Sequence, residues 1–217
     1  LTDTRSYRSP PCLNEHMASS LGLPLASSSL IAIADAGRAY NNDQPPAFLP
    51  YGDGSTPNPW QDREPGSCLG LAQRDWFLSQ LEASTARWKL WGNAIPLLPL
   101  RVDLSAIPLA GYEDSPLTTD SWEGFPHEVD YLMTQIQNRR IGGVVSLSGD
   151  HHLHGAGTIM PTSGKAPLKA VIADFAVAGI SSSPIYDDIK AQPGSDSAAI
   201  RPLVYTELDG VEQPMWN

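Results

Sequence analysis

An α/β fold is predicted by three features of the 217-residue sequence. Val129, Leu132, Met133 and Ile136 recur at i, i+3, i+4 and i+7, the spacing of one helix face. Gly142-Gly143 then release the chain into Val144-Val145-Ser146-Leu147, a short apolar run that reads as a strand buried on both faces. A second run, Ala170-Val171-Ile172-Ala173-Asp174-Phe175-Ala176-Val177, predicts the next strand. Helix-then-strand order is half of an α/β crossover unit.

Composition narrows the class. The length suits one core rather than two, so 1–217 is read as a single domain. A hydrophobic content of 41% with 20 prolines and 18 glycines predicts long irregular connections. A net charge of −10 argues against general nucleic-acid binding, while leaving room for a local basic site for a small phosphate. No apolar stretch reaches the length of a membrane span. Leu1 rather than Met opens the chain, so a processed, cut or partly represented chain is expected. Cys12 and Cys68 lack CxxC spacing, which excludes a zinc knuckle; they are either a disulfide or two buried thiols.

In chain order, Thr2, Thr4 and Tyr7 favour an extended segment that Pro10 ends. On a strand Asp3 shares a face with Arg5 and would orient its guanidinium. Arg5 and Arg8 are candidates for holding a phosphoryl group, because the planar guanidinium fork matches an oxyanion. Pro11–Leu23 has no clear period and reads as loop. Ser29 is a candidate cap for a helix through Leu30–Ala34 that Gly37 ends. Asn41–Gly66 is a long Pro/Gly/Asn/Asp excursion with Trp60 as a candidate anchor. Phe77, Leu78 and Leu81 mark a helix over Gln73–Glu82, and Arg87–Trp91 reads as a strand stopped by Gly92-Asn93. Pro126 opens the clearest helix, with Glu128 and Asp130 suited to its positive end and Arg139 and Arg140 to the other.

Three of the five histidines follow one aspartate in Gly149-Asp150-His151-His152-Leu153-His154. Open α/β sheets bind ligands just beyond the carboxyl ends of such strands. Alternation points Asp150, His152 and, as a weaker candidate, His154 one way and His151 the other. A carboxylate and an imidazole on one face suit Zn, Fe, Mn or Ca. This stretch is therefore a candidate corner of a metal site. A His-x-His-x-Asp-His order is absent.

The ordered set Asp3-Thr4-Arg5-Ser6-Tyr7-Arg8, Gln73-x-x-Trp76, Ser84-x-Ala86-x-Trp88-Lys89, Trp122-x-Gly124-Phe125-Pro126, Ser148-Gly149-Asp150-x-His152 and Ile180–Pro184 resembles the PhoD-like alkaline phosphatases. The resemblance covers Leu1 to about Pro184. It implies a calcineurin-like metallophosphoesterase core, a two-sheet sandwich flanked by helices, here apparently incomplete. It further implies metal-dependent hydrolysis of phosphate mono- or diesters by a metal-activated water, with small-molecule or polymeric esters as substrates. Iron with calcium is the implied metal set; zinc or manganese would suit the same ligands. Asp150 and His152 would be metal ligands and Arg5 the catalytic and substrate-binding group, with Arg8 beside it; His154 has no firm place in the pattern. Export to the periplasm or beyond is implied as well. The family draws most of its ligands from blocks upstream of the Asp-x-Arg segment, and neither Cys12 nor Cys68 matches its cysteine ligand. An internal slice of a larger enzyme is therefore expected, with a second chain as one source of the missing half. Two alternatives stay open: a non-catalytic fragment or binding module with an incomplete site, and another Asp/His metal hydrolase.

Overall fold

A computed structural model describes residues 1–13, 27–51, 54–102, 114–163, 167–179, 181, 183, 205–208 and 211–214. Most of the Pro11–Leu23 loop, Gly52-Asp53 and most of the chain after Gly179 lie outside the described residues. The α/β class is what the sequence predicts. Helix α1 spans Ser28–Ala36, α2 Leu71–Ala83 and α3 Pro126–Asn138. Strands β1 (Phe48–Tyr51) and β2 (Gly54–Pro57) form one antiparallel ribbon. Strands β4 (Arg101–Val102) and β5 (Ser115–Pro116) form a second, and β9 (Tyr205–Leu208) and β10 (Val211–Pro214) a third.

The main sheet has four strands in the order β3-β6-β8-β7, namely Lys89–Gly92, Val144–Ser148, Ile172–Ala176 and Gly155–Ile159. β3, β6 and β8 are parallel, and β7 runs antiparallel on the edge. Parallel neighbours need a crossover, and α3 lies in the connection from β3 to β6. Among the described residues this is the one large sheet.

One face of that sheet is closed by α2 and α3. Leu132, Met133 and Ile136 of α3 are wholly buried, joined by Phe77, Leu78 and Leu81 of α2 and by Val144, Ile159 and Ile172 of the sheet. Trp91 of β3 sits at the centre, 4.5 Å from Phe77 and edge-on at 5.9 Å to Trp122. Its indole N–H donates to Thr2 Oγ1 at 2.8 Å, so the core aromatic also holds the N-terminal segment. A second cluster gathers Cys12, Leu13, Ile31, Ala34, Leu49 and Trp60.

Several expectations are corrected. The run Val144–Ser148 is not buried on both faces. Val144 and Ser146 face the helices, whereas Leu147 is exposed, as are its register partner Phe175 of β8 (42%) and Leu90 of β3 (68%), which pairs with Val145. The run supplies apolar side chains to both faces, but the helices cover only one. Residues 4–7 are bends, and residues 1–10 contain no strand. Asp3 therefore caps the backbone N–H groups of Arg5 (2.7 Å) and Ser6 (2.9 Å) instead of orienting the Arg5 guanidinium. The cap of α1 is Ser27, not Ser29, accepting from Leu30 N. The Asn41–Gly66 excursion contains the β1–β2 ribbon, and Trp60 does pin it, donating to Cys12 O at 3.2 Å. Trp76 of α2 is half exposed, outside the core that takes Phe77. Cys12 and Cys68 are both free, buried thiols. Burial pushes the Cys12 thiol up to about 12 and raises Cys68 too, so neither has thiolate character at neutral pH.

Two buried carboxylates brace the helices. Glu128 does not act at the exposed start of α3; it turns inward and accepts from Ser67 Oγ (2.6 Å), Cys68 N (2.5 Å) and Leu69 N (3.1 Å). Asp35 of α1 accepts from His127 N at 2.9 Å, satisfying a first-turn N–H of α3 that has no partner within the helix. Burial pushes the Asp35 carboxyl up to about 7, partly offset by the His127 bond and reinforced by the charge of Glu128. An unfolded aspartate titrates near 3.9. Between about pH 4 and pH 7 the native state therefore binds more protons than the unfolded one, and stability falls as pH rises through that window, then levels. The slope from one such group is at most about 1.4 kcal/mol per pH unit. Urea denaturation of Asp35→Asn should give a visibly flatter dependence across that window; a slope equal to wild type would exclude Asp35 as its source.

Candidate metal centre and phosphoryl-binding edge

Because β3, β6 and β8 are parallel, their carboxyl ends open on one edge. The N-terminal segment reaches the same edge, since Thr2 N donates to Gly92 O at 3.2 Å. Gln73 of α2 fixes that segment from behind. Its side chain accepts from Asp3 N (2.8 Å) and donates to Asp3 O (2.7 Å), completing both backbone bonds of one residue. Two of the quoted motifs thus meet at this edge.

The loop after β6 carries Asp150 and His152. Both adopt positive φ, 73° and 51°, a conformation that aspartate and histidine reach more often than other side chains but still at a cost of about 1 kcal/mol each. Strain of this kind gathers at functional sites. The expected division of faces holds, through a bend rather than an extended strand: Asp150, His152 and His154 are exposed and His151 is buried.

The two exposed imidazoles differ in the lone pair they offer. His152 Nδ1 lies 2.8 Å from Ser183 O. A carbonyl only accepts, so Nδ1 carries the proton and a neutral His152 presents an unprotonated Nε2, the state a metal ligand requires. His154 Nδ1 instead accepts from Ala178 N at 3.4 Å, which leaves the proton on Nε2. The geometry thus favours His152 over His154 as a ligand. Ser183 belongs to the Ile180–Pro184 stretch, of which Ser181 and Ser183 are described.

Arg5 and Arg8 converge on Asp120, which the sequence reading missed. Arg5 Nη1 donates to both Asp120 oxygens, at 2.8 and 2.7 Å, and Arg8 Nη2 bonds Oδ1 at 2.5 Å. Burial raises the Asp120 pKa, and the hydrogen bonds from the two arginines more than offset this, so it ends below the usual carboxylate range. The Asp120 hydrogen bond holds the Arg5 guanidinium in its charged form; the charge of Asp150 adds to this, which brings the two edges of the site into electrostatic reach. Only Nη1 of Arg5 is engaged among the described contacts, so Nε and Nη2 remain for an oxyanion. Arg8 is mostly covered, at 18% side-chain exposure, with Nη1 buried and unpartnered. It braces Asp120 rather than facing solvent. The signal for Asp120 lay in Thr118-Thr119-Asp120, directly before the Trp122 motif, but nothing local ties it to an arginine 115 residues away.

As a metal site the donors fit in type but are few. Asp150 and His152 would offer a hard and a borderline donor, the imidazole with a fixed tautomer. Among the described residues no three His, Cys, Asp or Glu side chains group around one point.

Residues 1–209 match the family described as PhoD-like phosphatase. The chain belongs to the PhoD-like phosphatase family. It is 28% identical over 146 residues to alkaline phosphatase D of Bacillus subtilis (strain 168), covering 67% of this chain and 23% of that protein. A solved structure titled "Structure of PhoD" aligns over 77% of this chain and 34% of its own, at 21% identity and a TM-score of 0.44. The chain thus spans about a quarter of the curated relative and about a third of the solved one. No helix among the described residues is long and apolar enough to cross a membrane.

Nitrogen-15 spectra of the labelled histidines test the tautomers. The ring proton is expected on Nδ1 of His152 and on Nε2 of His154. A proton on Nε2 of His152 would remove it as a ligand.

Proposed function

We propose that this chain carries one side of a metal-dependent centre that hydrolyses phosphate esters. The observation that carries the reading is the His152–Ser183 bond, which presents an unprotonated Nε2 two residues from Asp150, in the loop at the edge where Arg5 is held. Asp150 and His152 would hold the metal. A bound ion of this class makes water a nucleophile near neutral or alkaline pH. Arg5 would bind phosphoryl oxygens through Nε and Nη2 and offset the charge that grows on them, with Asp120 keeping the guanidinium in register. Family membership supports phosphoester chemistry. Iron with calcium as the metals, zinc or manganese as substitutes, mono- or diester substrates and export are the finer parts of the proposal, and they rest on the family resemblance.

A second reading is favoured by one observation: no three candidate ligands group together among the described residues. On that reading the chain is a binding fragment, and further donors from outside these residues, on a second chain or elsewhere, complete the centre.

Elemental analysis paired with hydrolysis of a chromogenic phosphomonoester and a diester separates the two. Bound metal with turnover supports the enzyme; neither would leave only the fragment. In an active preparation Arg5→Ala should lower turnover roughly 10²- to 10³-fold, as for a lost transition-state donor, with metal content nearly intact. His152→Ala should empty part of the site. Metal loss in the Arg5 variant, or full metal in the His152 variant, would reverse these assignments.

A further inference from the structure

His151 is the residue of the loop that the metal reading leaves idle. It is buried, at 8% exposure, between exposed Asp150 and His152, and its Nε2 is enclosed without a hydrogen-bond partner. A matching atom lies on the neighbouring strand. Asp174 of β8 is fully buried on the face shared with Ser146, the residue it pairs with on β6. Its Oδ2 accepts from Leu97 N and Leu98 N, both at 2.9 Å, while Oδ1 is enclosed with no partner. One ring nitrogen able to donate, in the loop after β6, and one carboxylate oxygen able to accept, in the middle of β8, are thus both unsatisfied. Buried polar groups are nearly always paired, by protein or by an ordered water. The charge of Asp174 also reaches His151, acting against the burial that favours its neutral ring.

We propose that His151 is a positioning residue for the Asp150–His152 corner: its Nε2–H donates through one shared water to Asp174 Oδ1 and fastens the Gly149–His154 loop to β8. The residues on either side sit at positive φ, so each needs its surroundings to hold it. His152 has a second anchor in Ser183 O. The His151–Asp174 link supplies the inner anchor, between the two candidate ligands. This deepens the metal reading above and rests on it for its consequence, but the bond itself has an independent readout.

The test uses the full 217-residue chain with nitrogen-15 histidine. Wild type is expected to carry the His151 proton on Nε2, exchanging slowly. Asp174→Asn keeps an oxygen for the Leu97 and Leu98 amides but turns an NH₂ toward the ring, and should move that proton to Nδ1. A wild-type Nε2 without a proton, or a tautomer that Asp174→Asn leaves unmoved, overturns the proposal. Manganese(II) titration then reads the consequence. His151→Phe should weaken binding about 10- to 100-fold, the usual cost of losing a ligand's supporting partner. His151→Gln, which keeps a donor, should recover most of it. Equal loss in both variants overturns the positioning role. No manganese binding by wild type would overturn the metal reading of this corner, while the tautomer result still decides the His151–Asp174 bond by itself.

Discussion

The parallel pairing of β3, β6 and β8 is the constraint on which the rest depends. Register pairs Trp91 with Ser146 and Ser146 with Asp174, so one row carries the core tryptophan, a buried hydroxyl and a buried carboxylate across three strands. The same alignment sends the loops after all three strands to one edge. Packing therefore comes first: α3 lays Leu132, Met133 and Ile136 on this sheet, and the loops inherit their positions from it.

The N-terminal segment joins that edge by side-chain hydrogen bonds rather than by sheet pairing. Gln73 completes both backbone groups of Asp3, Asp3 caps the next turn, and Trp91 donates to Thr2. Side-chain hydrogen bonds of this kind fix a segment that has no strand or helix of its own. Arg5 leaves the segment with its direction set by Asp120, which Arg8 braces from the covered side. A guanidinium held in this way has less freedom to lose when it meets an oxyanion, which is what preorganisation contributes.

Buried carboxylates recur as fasteners in this acidic chain. Glu128 gathers the 67–69 backbone, Asp35 caps α3 and Asp174 holds the 97–98 turn. Each accepts backbone N–H groups that would otherwise be unpaired inside the protein. The acidic excess is thus partly structural and not only a solvated surface.

Local pattern was enough for the elements whose signal is periodic or stereochemical. The α3 face, Pro126 at its start, the helix read over Gln73–Glu82 and the strands around Trp91, Val145 and Ile172 follow from spacing alone, because helix and strand periods act over a few residues. The candidate ligands were legible for the same reason, since aspartate and histidines after a short apolar strand form a compact signal. Tertiary structure decided what depends on distant partners. Asp120 on Arg5, Ser183 on the His152 ring and the inward turn of Glu128 join residues tens of positions apart. The exposure of Leu90, Leu147 and Phe175 belongs there too. An apolar strand offers side chains to both faces, and only the packing of the helices determines which face is closed.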